Sequence, residues 1–533
     1  MAQELKSVSV ANPGFLGLNT QQTGVGLDVS WASEASNCII SKDGGIESRK
    51  GYVPVSNPIT GTNKKIKQIH EYIDGQGVSQ IHSFTADYRI YKGNAGTLTD
   101  ISPATLPSPI DPANYKVVNF NNRAYAFYGS EDPLEYSGSG IYTKIKDGAG
   151  FLDSGDAVIA TLKPHECLAA FGRLWVAAAP ANKMQVWWSD ALLGRQWSGG
   201  SSGTLDLRSV LTQGMDTITA LRAWNGNLVI FLTKNILIYS GAQIPSTMVL
   251  VENITGIGCI ARDSIQEIGT DLIFLSDSGI RSLGRSIQEK SLPISDFSKN
   301  VRDDLRNYVN QASIGNIRSV YSEIHAFYIL SVPNETYTTW RIFCLDLRRP
   351  LDDGSYRVTI WDSINPYSME MARDGTLYIG KDGYLAKYFG YLDNTTAYRM
   401  IYFTPWIDFS VAQEKFNKLA PNYSSFIKIP KKLDSTITAN ISSTFTFKWF
   451  FDYTSKEYSN QVITTGNVVV AEYNTSTSEY GISEWAEGNL TFRVEAPLFG
   501  SGKVLKFGLE TNVNGAKAGI QRLDILAKLG RML

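Results

Sequence analysis

Seven polar turns recur along the middle of this chain, and each is followed by a short apolar strand. They sit at Asp74-Gly75, Asn121-Asn122, Gly172-Arg173, Asn225-Gly226, Gly269-Thr270, Ser322-Glu323 and Asp374-Gly375. Taking one position from each (75, 122, 172, 226, 270, 323, 375), the steps are 47, 50, 54, 44, 53 and 52 residues. A period of roughly 40–50 residues in a strand-rich chain marks β-propeller blades, small antiparallel sheets set around an axis. The expected fold is therefore all-β, with a propeller of six to eight blades.

The copies share a grammar rather than a sequence. One reads Ile218–Trp224, then Asn225-Gly226-Asn227, then the apolar run 228–232. Asn-Gly between apolar runs is a strong two-residue hairpin signal, because both residues tolerate positive φ. Other copies read Phe171-Gly172-Arg173-Leu174-Trp175-Val176 and Asp374-Gly375-Thr376-Leu377-Tyr378-Ile379. Near-continuous apolar strands fit sheets buried on both faces. One stretch breaks the pattern: over 297–311, Val301, Leu305, Tyr308 and Val309 fall on one helical face. Asp296 is placed to cap that helix, which is expected to pack on the side of the disc.

The flanks differ from the repeat. Residues 1–62 are rich in Gly, Ser and Asn with short apolar pieces. After residue 396 the strands lengthen and alternate, as in 444–451, where Phe445, Phe447, Trp449 and Phe451 share one face. Near the end Leu523, Ile525, Ala527 and Leu529 do the same, after a hairpin signal at Asn514-Gly515. Three segments follow: 1–62 as the N-terminal part of a platform domain, 63–395 as the propeller, and 396–533 as the C-terminal part. The platform is read as a β-sandwich built from both ends of the chain.

At 43% hydrophobic and 19% charged, the 533 residues can bury several cores, and 50 basic against 51 acidic residues argue against a general nucleic-acid coat. No charged-then-apolar leader opens the chain and no run of eighteen apolar residues occurs. The expectation is cytosolic synthesis without a membrane span. Cys38, Cys167, Cys259 and Cys344 lack metal-ligand spacing and read as scattered buried thiols.

The chemistry-bearing residues form no persuasive set. Of the four histidines, His70 and His82 flank one hairpin, while His165 and His325 stand alone; ordinary strand histidines are favoured over a metal site. The acidic pairs Asp303-Asp304 and Asp352-Asp353 read as helix and turn residues rather than a glycosidase pair. Ser276-Asp277-Ser278-Gly279 and Arg373-Asp374-Gly375-Thr376 weakly resemble sialidase Asp-box turns, but hairpins prefer such residues anyway. Asp147, Asp153 and Asp156 could line a calcium loop but miss the EF-hand spacing. Gly24-Val25-Gly26-Leu27-Asp28 lacks the third glycine of a phosphate loop. Lys428, Lys431 and Lys432 read as a solvated cluster. No catalytic, cofactor-binding or metal residue is assigned, no cofactor is expected, and the chain is read as a non-enzyme.

The N-terminus carries a further signal. It runs Asn12-Pro13-Gly14-Phe15-Leu16-Gly17-Leu18-Asn19-Thr20-Gln21-Gln22, then Leu27-Asp28, then 32–38, then Gly44-Gly45-Ile46-Glu47-Ser48-Arg49-Lys50-Gly51-Tyr52. This opening resembles that of the tail nozzle (tail tubular protein B, or hub) proteins of short-tailed bacteriophages, over about the first 55 residues by motif and over the whole chain by architecture. The chain is shorter than the largest of them, which suggests the compact hub type.

The resemblance implies a structural virion protein, made in the host cytoplasm and resident in the tail. It implies a homo-oligomeric ring, commonly a hexamer, docked below the portal and the adaptor of the head-to-tail connector. Such a ring serves as conduit and gate for genome ejection and can attach tail fibres or spikes. Double-stranded DNA would pass without sequence recognition, so the lumen is expected to carry more acidic than basic side chains. The main alternative is a glycan-binding or glycan-degrading propeller tail protein, which needs a pocket with two facing carboxylates and aromatic platforms. A third reading, a monomeric scaffold that docks peptides on its top face, requires no ring.

Overall fold

The computed structural model describes residues 7–532 apart from 25, 43, 107–113, 130, 146–161, 212–213, 215, 290–295, 412, 415–422, 440–442 and 465–489. Each of the seven turns joins the first and second strands of its own antiparallel unit. Unit A is Ile66–Ile73, Ser79–Thr85, Ile90–Lys92 and Thr99–Asp100, and unit B is Lys116–Phe120, Arg123–Phe127, Leu134–Tyr136 and Thr143–Lys144. Unit C is Glu166–Ala170, Arg173–Ala179, Asn182–Trp188 and Gly203–Asp206, and unit D is Ile218–Trp224, Asn227–Leu232, Asn235–Ser240 and Val249–Thr255. Unit E has three strands, Gln266–Ile268, Asp271–Ser276 and Gly279–Ser282. Unit F is Arg318–Ser322, Phe327–Pro333, Trp340–Asp346 and Arg357–Trp361; unit G is Ser368–Met371, Leu377–Gly380 and Leu385–Tyr388, completed by Tyr52–Pro54 from near the start of the chain.

The turns work through left-handed backbone. Asn225 and Gly226 have φ of 46° and 75°, the geometry a two-residue hairpin needs to match strand twist. Two turns are displaced from their expected positions. The third is Phe171-Gly172 (φ 56° and 70°), so Arg173 already belongs to the second strand. The sixth spans 323–326, because Ser322 still pairs with Phe327.

Alternation explains why the second strands of units C to F are largely apolar. In unit D, Leu228, Ile230 and Leu232 pack with Trp175 and Val186 of unit C, while Val229 and Phe231 point the other way, onto Leu272 and Phe274 of unit E. A strand covered on both faces has no solvent side to make polar. The same occurs at every boundary. Tyr72 and Ala124 share one buried cluster (A–B), as do Phe127 and Val176 (B–C), Leu275 and Leu330 (E–F), Ile342 and Ile379 (F–G), and Leu385 with Ile66 and Ile81 (G–A). The units therefore close on themselves as a β-propeller. The closing seam also carries hydrogen bonds, Ser368 Oγ to the Ile66 carbonyl (2.7 Å) and the Arg373 amide to Glu71 Oε2 (2.8 Å).

Two α-helices lie among the described residues. Helix α1 (Leu283–Glu289) packs on the last two strands of unit E. Helix α2 (Arg302–Gln311) is wedged between units E and F, with Leu305 buried. Asp296 does not cap α2. It is fully buried, and its carboxylate accepts from the Ser298 amide and hydroxyl (2.8 and 2.7 Å) and from Arg302 Nε (2.7 Å). The expected helix start is taken instead by that turn and a 3-10 segment, Lys299–Val301.

The two chain ends interleave. Gly519–Met532 pairs with Ser7–Ala11 and Ile46–Ser48 on one side and with Phe426–Ala439 on the other. In a second sheet Tyr398–Ile407 pairs with Leu505–Val513, which pairs with Thr444–Phe451. Both sheets close on one core in which Phe445, Phe447, Trp449, Leu523, Ile525 and Ala527 are buried. Glu34–Ser36 lies between Tyr398–Ile407 and the last strand of unit F, parallel to the latter at Ser36–Ile360. Unit F and the terminal sheet are thus one nine-stranded sheet.

Candidate functional site: the axial ion network and the clasp

The first strands of the units bring charged residues to the ring axis: Lys67, Lys116, Glu166 and Arg318 at or next to the strand start and Arg222 further along its strand, with Arg262 and Asp263 just before unit E. Glu166 is fully buried and accepts from Arg222 Nη1 (2.9 Å) and the Leu221 amide (3.3 Å). Asp263 faces Arg262 Nη2 (2.8 Å), Arg318 Nη1 (3.1 Å) and Lys116 Nζ (3.9 Å). Arg262 also reaches the His165 and Tyr115 carbonyls (2.6 and 2.9 Å), and Asn114 Oδ1 accepts from both Arg262 (2.7 Å) and Arg318 (3.1 Å). One set of charges thus ties together units B to F.

Burial opposes charge on Asp263, but Arg262, Arg318 and Lys116 hold its carboxyl well below the usual range. Burial, with Arg222 beside it, lowers the Lys116 ammonium. Burial together with Arg318 and Lys65 brings Lys67 down to about 7; its ammonium contacts the Tyr337 hydroxyl and lies 3.8 Å from that ring's centre.

An axial cavity of about 580 Å³ opens against this network. Lys116, Arg222 and Arg373 face Glu267, Glu323 and Glu370 on its wall, three basic and three acidic side chains. Burial raises the Glu370 carboxyl to about 8; Lys116 opposes the shift, while Glu71 and Asp263 add to it. A carboxyl neutral at pH 7 could serve as a general acid, and Glu267 and Glu323 share its wall, but glycoside cleavage needs a second carboxylate set across the sugar together with aromatic platforms. Glu71 is held by Ser79 Oγ (2.5 Å) and the Arg373 amide, and Tyr321 is the one aromatic side chain among the residues lining the cavity.

The N-terminal motif builds something else, a clasp. Arg49 is fully buried, and all five of its N–H groups are used. Nη1 and Nη2 take both oxygens of Asp393 (2.9 and 2.7 Å), Nε donates to Asn37 (3.0 Å), Nη1 to the Lys50 carbonyl (2.8 Å) and Nη2 to Ser363 (2.5 Å). The guanidinium also lies 4.0 Å from the centre of the Tyr398 ring. Gly51 lets the chain pass: a Cβ there would sit 1.9 Å from the Leu392 carbonyl oxygen. The segment entering the ring is therefore locked to the segment leaving it.

The remaining candidates are dispersed. His70 and His82 are directly opposite in unit A, yet each has its own partner: His70 Nε2 meets Asn119 Oδ1 (2.8 Å), and His82 Nδ1 meets the Tyr142 hydroxyl (2.9 Å). Burial lowers them to about 4 and about 3. The His165 ring lies against Gly129, and His325 stacks on Phe327. Asp304 pairs with Arg341 (3.2 Å), Asp353 with Lys299 (3.0 Å), and Asp374 accepts from the Thr376 amide (2.8 Å). Asp277 takes the Ser276 hydroxyl (3.0 Å) in a hairpin turn of unit E. Asp147, Asp153, Asp156 and Val25 lie outside the described residues. The four cysteines are buried and unbonded, and burial pushes Cys259 up to about 12.

Lys428 departs from the solvated cluster expected of it. It is buried on a central strand, donates to the Ser424 and Lys503 carbonyls (2.9 and 2.6 Å), and burial lowers it to about 8. Lys432 pairs with Glu495 (2.5 Å), and Lys431 is exposed. Among the described residues no group of three or more His, Cys, Asp or Glu could hold a metal ion, and no helix is long and apolar enough to cross a membrane.

No protein-family model and no curated protein matches the chain. Solved structures give low-scoring likenesses. YCF48 bound to D1 peptide is 11% identical, covering 64% of this chain and 98% of that one at a TM-score of 0.36. The Pan2 WD40 domain of Neurospora crassa is 11% identical, covering 64% and 96% at 0.35. The extracellular domain of BT4673, described as a putative one component system, from B. thetaiotaomicron is 11% identical, covering 86% and 62% at 0.38. At these scores the likenesses carry no argument, and ring closure rests on the strand pairing and packing above.

Proposed function

We propose that this chain is a structural component of a short-tailed phage tail, a nozzle or hub ring below the portal and adaptor. The seven units are its seven blades, and the interleaved ends are its β-sandwich platform. The observation that carries the reading is the clasp. The last part of the stretch that resembles nozzle proteins, 44–52, is spent on locking platform to propeller through Arg49 and Asp393 rather than on a reactive site. A body tied together in this way can transmit load without hinging, which a genome conduit requires. The ring is a homo-oligomer, commonly a hexamer, assembled on the adaptor in the virion, with DNA sliding through and fibres or spikes at its rim. Its lumen lies between copies, and the acidic lining expected of it belongs to the same proposal.

Electron microscopy of particles carrying an epitope insertion in this chain tests the reading. Label in a ring directly below the adaptor is expected; label on fibre tips, or absence from particles, would overturn it. Glu370 is the one observation favouring a glycan-acting propeller. Release of reducing sugar from host polysaccharide, abolished in Glu370→Gln, would transfer the assignment to that reading.

A further inference from the structure

A second cavity lies at the seam between unit F, unit G and the first platform strands, and the reading above does not use it. It measures about 290 Å³ and is walled by Cys38–Ile40 and Ile46–Ser48 on one side and by the Glu323–Ala326 turn and Tyr388 on the other. Four cations converge on it, Lys42, Lys50, Arg348 and Lys517, with His325 among them. Two carboxylates answer them: Glu47 pairs with Lys517 (2.8 Å), and Asp346 holds Arg348 through Nε and Nη2 (2.7 Å each). Four positive against two negative groups leave an excess of two, in a chain whose formal net charge is −1.

The remaining donors are free to serve a ligand. Lys42 and Lys50 have no carboxylate partner among the described residues, and Arg348 Nη1 takes no part in the bonds to Asp346. Arg348 is itself fixed, with Nη2 also on the Ile40 carbonyl (2.5 Å) and the guanidinium 5.4 Å from the centre of the Phe327 ring. His325 stacks on the same ring (5.6 Å, 24°), and its nitrogens make no hydrogen bond among the described residues. The charged and titratable groups around it are Lys42, Lys50, Arg348, Lys517, Glu47, Tyr388 and Tyr391, while Glu323 on its own turn lines the axial cavity instead. Burial, then Lys50, Arg348 and Lys42, lower the imidazole.

We propose that this cavity is a binding site for a phosphate dianion, either free phosphate or the phosphate group of a small phosphate monoester. Fixed Arg and flexible Lys donors approaching from different walls suit the three oxygens and double charge of phosphate better than the planar carboxylate. The volume holds a phosphate group and leaves room for a small organic remainder. The site also predicts its own linkage. A bound dianion beside His325 raises the imidazole pKa, while the phosphate's own second protonation opposes binding as pH falls, so the linkage is read in the imidazole midpoint rather than in the affinity.

The test is titration calorimetry of the full chain with inorganic phosphate and, separately, glycerol phosphate, at constant ionic strength with chloride as control. Saturable binding, at least tenfold weaker in Lys42→Ala/Lys50→Ala, is expected. Tighter binding of the monoester would assign the organic source, and equal affinity would assign free phosphate. Absence of binding by the unaltered protein at 10 mM phosphate (about ten times a 1 mM Kd,), or equal binding by the double variant, would overturn the proposal. If the double variant fails to fold, the His325 Cε1–H resonance of the unaltered protein decides. Its titration midpoint must rise on adding phosphate, and an unmoved midpoint would count against the site.

Discussion

Glu370 and Lys67 sit on the same axis and carry opposite costs. Glu370, at about 8 in the folded chain, keeps its proton where an unfolded glutamate has lost it. Between about pH 4.5 and 8 the native state therefore binds more protons, and stability falls as pH rises through that window, levelling off above it. Lys67, at about 7, is neutral where an unfolded lysine is charged, so its contribution makes stability rise with pH from about 7 to 10.5. Glu370→Gln removes only the first term. The variant is expected to match the parent near pH 4.5 and to exceed it by about 2 kcal/mol at pH 8, discounted from the full shift because the group opens onto a cavity. Urea unfolding at the two pH values measures this; a variant equally or less stable at pH 8 would show that Glu370 is charged in the ring.

At the scale of turns and strands, glycine separates what the sequence displays from what it conceals. Gly226 sits in a hairpin with a φ of +75° and open space around its missing Cβ. Gly51 instead lies under the Leu392 carbonyl, where a Cβ would come within 1.9 Å. Gly226→Ala is expected to cost about 1 kcal/mol, a local conformational penalty. Gly51→Ala must displace the strand that completes unit G and is expected to cost about 3 kcal/mol or more. Thermal midpoints of the two variants check the order, and similar losses would refute the clasp as a close-packed joint. Gly226 was legible because Asn225-Gly226 is a local signal between apolar runs, whereas the third and sixth turns, with weaker signals, lie a residue or more from where the sequence puts them. The alternation that buries Phe445 and Trp449 was equally local. The partner of Arg49 was not legible, since Asp393 is 344 residues away and nothing in either neighbourhood names the other. The displaced cap at Asp296 failed for a related reason: its carboxylate is consumed by Ser298 and Arg302 inside the core. The axial charges left a faint trace, a charged residue at the opening of several first strands (Lys116, Glu166, Arg318).

For the whole molecule, the decisive feature is that propeller and platform are not joined by a linker. Glu34–Ser36 continues unit F into the terminal sheet, Tyr52–Pro54 completes unit G, and one apolar cluster runs from Leu275 and Leu330 through to Trp449 and Ile525. Separate domains melt separately when few contacts cross between them, and here backbone ladders and core both cross. Opening the platform would strip Tyr52–Pro54 from the ring and uncover unit F, so neither half retains its native surface alone. The full chain is therefore expected to unfold in one calorimetric transition, with the van't Hoff and calorimetric enthalpies in agreement at low protein concentration. Two resolved transitions would mean that the shared sheet parts under load, and a rigid collar around a passage would then be the wrong description. If the chain assembles as proposed, the midpoint should also rise with protein concentration, because ring contacts stabilise the folded copy by mass action.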